Sequence, residues 1–84
     1  MTTRRVALVT GAGQRVGRAI AAHLAEHGWA VAVHYRASAA GADALVEEVR
    51  SGRGEAAAFA ADLSDPSASD ALVAAVQAHF GRLD

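Results

Sequence analysis

Eighty-four residues allow one domain and no second, and a chain this short buries only about 60–65% of its unfolded surface. A hydrophobic fraction of 52% against 20% charged excludes a disordered chain. Net charge is −1 and all eight basic residues are arginines scattered along the sequence, so no basic face offers itself to nucleic acid or an anionic membrane. The absence of cysteine excludes disulfides, thiolate catalysis and cysteine-ligated zinc. The apolar run after Arg5 is too short for a signal peptide or a membrane span, which makes the cytoplasm the expected compartment.

Arg5 to Thr10 is nearly continuous apolar sequence ending at glycine, the pattern of a strand covered on both faces. Beyond the glycines, Val16, Ile20 and Leu24 recur at helical spacing, with Arg18, Ala22 and Glu26 on another face, and Gly28 stops that helix. A second strand covers Ala30 to Tyr35. From Ser38, a plausible cap, Ala42, Leu45, Val46 and Val49 form the apolar stripe of a second helix, ended by Ser51-Gly52-Arg53-Gly54. Ala56 to Ala61 is a third strand by its place in the alternation, since alanine has little strand preference. Asp65-Pro66-Ser67 opens a third helix whose buried stripe is Leu72, Val73, Val76 and Phe80, stopped by Gly81.

Strand and helix thus alternate three times with short connections. That order requires right-handed crossovers and a parallel sheet, with strand order 3-2-1 and helices packed on it. The fold class is α/β, the amino-terminal βαβαβα half of a Rossmann-type doubly wound sheet. The first strand reads as the most buried, yet would be an unpaired edge, a template for aggregation. Residues 1–84 are therefore expected to be part of a larger domain.

Gly11, Gly13 and Gly17 fall between the first strand and the first helix. A turn there gathers backbone N–H groups and the positive end of the helix at one point, which suits a pyrophosphate. Gly11 would make the turn, Gly13 would let phosphate approach the backbone, and Gly17 would let helix and strand pack closely. The spacing departs from G-x-G-x-x-G, because Val16 holds the third position. A tight turn with no ligand is the plain alternative.

Thr10-Gly11-Ala12-Gly13-Gln14-Arg15-Val16-Gly17 resembles the T-G-x-x-x-G-x-G turn of short-chain dehydrogenases/reductases, with Arg15 in place of the middle glycine. Pteridine reductases and dihydromonapterin (dihydrofolate) reductase-like members are similar in carrying arginine there. They also share the Arg15-Val16-Gly17-Arg18-Ala19-Ile20-Ala21 run and the His34-Tyr35-Arg36 strand end with Ser38 two residues on. The likeness runs through Asp62-Leu63 and Phe80-Gly81-Arg82-Leu83-Asp84. It implies one partial cofactor domain over residues 1–84, from a reductase of roughly 250 residues, a size within the single-domain range.

An NAD site needs a carboxylate at the end of the second strand, about 20 residues past the glycines, to accept from the ribose 2′-hydroxyl. His34, Tyr35, Arg36, Ala37 and Ser38 occupy that place, and no acid occurs until Asp43. An arginine there pairs with a 2′-phosphate instead. Arg36 and Ser38 are the expected 2′-phosphate ligands, Arg15 a second cation and His34 a helper. NADP(H) should be preferred about tenfold, the value of one charged contact of roughly 1.4 kcal/mol. The resemblance implies that Asp62 accepts from the adenine amine and that Leu63 lines the adenine pocket. On its own, Asp62 reads as a turn or capping residue.

The resemblance also implies a hydride transfer from NADPH to a C=O or C=N bond, of a pterin or dihydrofolate by the nearest likeness. A 3-ketoacyl or sugar reductase and a non-catalytic NADP(H)-sensing module are the alternatives. No catalytic residue is expected within the chain, because the family's Tyr-x-x-x-Lys motif lies beyond residue 84, and a homotetramer is expected of the whole protein. No metal site is expected: His23 and His27 sit four apart but lack a third ligand. His79 and Trp29 read as structural.

Overall fold

The computed structural model describes residues 2–37 and 39–84. Among them six elements alternate: β1 (Val6–Val9), α1 (Arg15–Glu26), β2 (Ala30–Tyr35), α2 (Ala39–Ser51), β3 (Ala56–Ala60) and α3 (Pro66–Phe80). The strands are parallel in the order β1-β2-β3, with Val6 opposite Ala30 and Val31 opposite Ala56. The expected 3-2-1 order and α/β class are those of the structure. The Ser38 cap lies outside the described residues.

Alternation along the strands divides the core into two layers. Val31 and Val33 of β2 face α1 and α2, meeting Ala21, Ala42, Leu45, Val46 and Val49. Ala30 and Ala32 face the other way and meet Leu72, Val76 and Phe80 of α3. Helices therefore cover both faces of the sheet. Small residues in the strands bring α3 close: alanine lends β3 little intrinsic preference, and burial between layers supplies the rest.

Three expectations about the core change. The central strand β2 is the most buried, not β1, whose Ala7, Leu8 and Val9 are only half-buried because no strand among the described residues lies beyond them. On α1 the buried residue is Ala21, whereas Val16 is 72% and Ile20 49% exposed. Ile20 stands about 100° round the helix from Ala21, so a stripe through Val16 and Ile20 points away from the sheet centre. Val73 is likewise 38% exposed while Leu72, Val76 and Phe80 are buried.

The helix ends follow their sequence signals. Asp65 caps α3 by accepting from the Ser67 amide at 3.0 Å, Pro66 occupies the first turn, and Gly81 closes the helix at φ +86°. Gly28, at φ +89°, turns the chain out of α1.

Beyond α3 the chain returns to the edge of β1. The Asp84 amide donates to the Val6 carbonyl at 2.9 Å, and the Val6 amide donates to the Asp84 carboxylate at 2.9 Å. Arg82 grips the same carboxylate through Nε and Nη2 at 2.7 and 2.6 Å. That guanidinium first, and the Val6 amide second, hold the Asp84 carboxyl down to about 2 from an ordinary 3.8. A carboxyl lowered on folding stabilises the fold fully above its ordinary value and loses that contribution as pH falls through about 2. Thermal melts between about pH 5 and about pH 2 should therefore show a steeper acid loss in the native chain than in Asp84→Asn. Parallel curves would show that this contact adds nothing.

Candidate functional site

The carboxyl ends of β1 and β2 open into a crevice of about 300 Å³ lined by Gly11, Gly13, Gln14, Tyr35, Arg36 and Ala37. Ligands of open parallel sheets sit at such strand ends. Gly11 takes φ +61°, a left-handed conformation that glycine adopts freely, and thereby turns the chain from β1 toward α1. The Ala12 amide is tied to the His34 carbonyl at 3.0 Å, which fixes the turn on β2.

Two further glycines bring backbones together around this turn. A Cβ on Gly17 would strike the Gly11 carbonyl and stand 3.1 Å from the Ala12 Cα. A Cβ on Gly41 would strike the Gly13 carbonyl, so the first turn of α2 lies directly against the phosphate-type turn. Gly41 is not among the residues that the sequence pattern singles out. It carries a signal all the same, because glycine inside a helix costs about 1 kcal/mol relative to alanine and so asks for a reason.

Helix α1 begins without a side-chain cap: Gln14 is extended (φ −143°, ψ 150°) and makes no capping hydrogen bond. Its first-turn amides are thus left without a side-chain acceptor at the helix's positive end. Arg15 starts the helix at φ +50°, one of two non-glycine residues with positive φ among those described. This explains the glycine usual at that position in the resembling turn, since a side chain in the left-handed region costs about 1–2 kcal/mol. Arg15 is exposed and enters no salt bridge among the described residues.

The remaining candidates divide by place. Arg36 is exposed at the rim, with Nε 3.7 Å from the Asp62 carboxylate. Asp62 accepts from the Ser64 amide at 3.0 Å and from the Ser64 hydroxyl at 2.6 Å. Those bonds, with Arg36 contributing least, keep the Asp62 carboxyl below its ordinary value. Leu63 is 39% exposed beyond the end of β3. Gly11, Gly13, Tyr35 and Arg36 therefore share the crevice, Asp62 joins it through Arg36, and Arg15, Val16, Gly17 and Leu63 do not line it.

His34 is placed differently from a phosphate ligand. It is 5% exposed, and both ring nitrogens are engaged inside the protein, with Gly11 and with Ala61. Ser38 lies outside the described residues. His23 on α1 and His27 at its C-terminal cap are exposed with ring centroids 4.3 Å apart, and no cluster of three metal-ligating side chains occurs among the described residues.

The sequence family described as short chain dehydrogenase matches residues 5–84. The chain belongs to that family. An uncharacterized oxidoreductase of Methylorubrum extorquens is 49% identical over 95% of this chain and 32% of its own length. A probable tetrahydroxynaphthalene reductase of Zymoseptoria tritici is 45% identical over 95% of this chain and 30% of its own. The 3-oxoacyl-[acyl-carrier-protein] reductase FabG of Staphylococcus aureus is 40% identical over the whole chain and 34% of its own length. The crystal structure of a dehydrogenase/reductase from Sinorhizobium meliloti superposes with a TM-score of 0.92 at 38% identity, covering 95% of this chain and 32% of that one. The chain spans about a third of the length of these relatives.

Membership in the short-chain dehydrogenases implies a nicotinamide cofactor, and the turn fits one. The Gly11 turn, the uncapped start of α1 and the shared crevice would hold its pyrophosphate, and Arg36 with Tyr35 would face the adenosine ribose. No helix among the described residues is long and apolar enough to cross a membrane.

Proposed function

We propose that this chain is the NADP(H)-binding segment of a reductase that passes hydride to a C=O or C=N bond of a small molecule. The observation that carries the reading is Arg36 at the rim of the crevice, in the place where an NAD site sets a carboxylate. A guanidinium donates several N–H bonds to a phosphate, whereas an acid in its place would repel one. Asp62, 3.7 Å from Arg36, keeps that side chain near the rim, and a 2′-phosphate would compete for it.

When bound, the nicotinamide supplies or accepts the hydride; this chain's part is to hold and orient the adenosine half. The whole protein, of which residues 1–84 form an amino-terminal cofactor segment, would supply the proton donor and the substrate surface. Carbonyl reduction is the favoured chemistry, because two of the named relatives are FabG and a probable tetrahydroxynaphthalene reductase. A pterin or dihydrofolate C=N acceptor is the second reading, favoured by Arg15 at the glycine position and by the His34-Tyr35-Arg36 strand end. A cytoplasmic homotetramer is part of the same proposal.

Titrating the chain with NADPH and NADH tests the cofactor assignment. NADPH should bind about tenfold more tightly, the worth of a net charged contact of roughly 1.4 kcal/mol, and Arg36→Ala should close most of that gap. Equal affinities in the native chain would overturn the assignment.

A further inference from the structure

We propose that His34 is a positioning residue that locks the Gly11 turn to the end of β3 through a single ring tautomer. The proposal rests on reading that turn as the nucleotide site, and it concerns a residue that is 5% exposed with both ring nitrogens bonded inside the protein. His34 is the one buried polar side chain among the described residues. The Gly11 amide lies 3.0 Å from Nδ1, and the Ala61 carbonyl oxygen lies 2.8 Å from Nε2.

The two partners leave the ring no choice of role. A backbone amide can only donate, so Nδ1 must accept from Gly11; a carbonyl can only accept, so Nε2 must carry the hydrogen and donate to Ala61. The ring is thus a neutral strut with one donor and one acceptor. Its own backbone carbonyl accepts from Ala12 at 3.0 Å, and the next carbonyl, of Tyr35, accepts from the Ala61 amide at 3.1 Å. One residue of β2 therefore fastens two consecutive residues of the glycine turn on one side and the end of β3 on the other.

That placement joins the two lips of the crevice. Gly11 begins the turn that would hold pyrophosphate, and Ala61 immediately precedes Asp62, which faces Arg36. Gly11 needs the constraint: at φ +61°, with nothing within 4 Å of the point where a Cβ would stand, no side chain of its own fixes its amide direction. The imidazole does. At metal sites, side chains that hold the ligating groups without touching the metal alter affinity roughly 10–100-fold when removed, and the same loss of orientation would act at this turn.

Three substitutions separate the roles. His34→Asn retains an acceptor at the Nδ1 position for Gly11, His34→Gln retains an amide donor at the Nε2 position for Ala61, and His34→Leu retains bulk and neither bond. ¹⁵N-resolved NMR of the native chain should show a hydrogen on Nε2 and a bare Nδ1, with slowed exchange at the Gly11 amide. His34→Leu should speed that exchange and weaken NADP⁺ binding about tenfold, while circular dichroism still reports a folded α/β chain. His34→Asn should restore slow exchange and most of the affinity, and His34→Gln should restore less of both.

Overturning results are specific. A hydrogen on Nδ1, Gly11 exchange unchanged in His34→Leu, or a His34→Asn variant no better than His34→Leu would each end the proposal. Should the native chain fail to bind NADP⁺ at all, the cofactor reading fails instead, and the tautomer and the Gly11 exchange still decide the role of His34. If His34→Leu does not fold, the contrast between His34→Asn and His34→Gln carries the same test.

Discussion

Gly17→Ala should destabilise the chain by about 3 kcal/mol and abolish nucleotide binding, the cost expected when a methyl is forced against backbone that cannot step aside. The added Cβ would strike the Gly11 carbonyl and lie 2.9 Å from the Gly11 carbonyl carbon. Neither neighbour is the movable tip of a side chain. To relieve the overlap, the first turn of α1 must lift from the strand end, and the lifted turn carries the amides that would face phosphate. Urea melts measure the stability loss and titration with NADP⁺ the affinity. Gly52→Ala is the matched control: its Cβ would meet only the Val49 and Glu48 carbonyl oxygens at 3.6 and 3.8 Å, ordinary contact distances. Gly17→Ala melting like Gly52→Ala would show that helix and turn are not held at this approach.

The same substitution shows why the glycine pattern is legible in the sequence while other features are not. Gly11 and Gly17 lie close together in the chain, and their reasons are local: a left-handed φ at Gly11 and close backbone approach at Gly17. The helical stripe Ala42, Leu45, Val46 and Val49 is equally plain, since all four are buried on one face. Gly41 against Gly13 is a contact between elements 28 positions apart in the chain, and periodicity within one helix cannot register it. In sequence His34 reads as a helper to Arg36, because only Tyr35 separates them. Arg36 lies past the last residue of β2 and is exposed, whereas His34 is inside the strand, where burial makes it an internal hydrogen-bonding group.

The exposed side of α1 has a related cause. Val16, Ile20 and Leu24 share a spacing that one helix face can bury, but which face is buried depends on where the neighbouring strands lie. In this chain the sheet has β1 at its edge, so α1 rests on β1 and β2 through Ala21, Ala22, Leu24 and Ala25. Val16 and Ile20 fall outside that footprint. Asp84 shows how the edge begins to be satisfied, with its amide and carboxylate completing one rung on Val6.

Arg15→Gly should move stability and affinity in opposite directions. Arg15 holds φ +50°, a conformation that costs a side-chain-bearing residue about 1–2 kcal/mol and costs glycine nothing. Glycine's greater freedom in the unfolded chain takes back about 0.5–1 kcal/mol, so the variant should gain up to about 1.5 kcal/mol of stability. Its affinity for NADP⁺ should fall roughly 10- to 100-fold, the range expected for losing a charge-assisted hydrogen bond of about 1.5–3 kcal/mol to a phosphate oxygen. Arg15 does not line the crevice, so on the proposed reading its exposed guanidinium would reach the phosphate from the flank of the turn, and the strain at φ +50° would be held there for that contact. Arg15→Lys should keep the strain and part of the attraction, because an ammonium offers a point charge without the planar fork. Chemical denaturation and nucleotide titration on the same three proteins read both quantities. An Arg15→Gly variant that is more stable and binds as tightly as the native chain would remove the guanidinium from the site, and one that is less stable would show that the turn does not strain it.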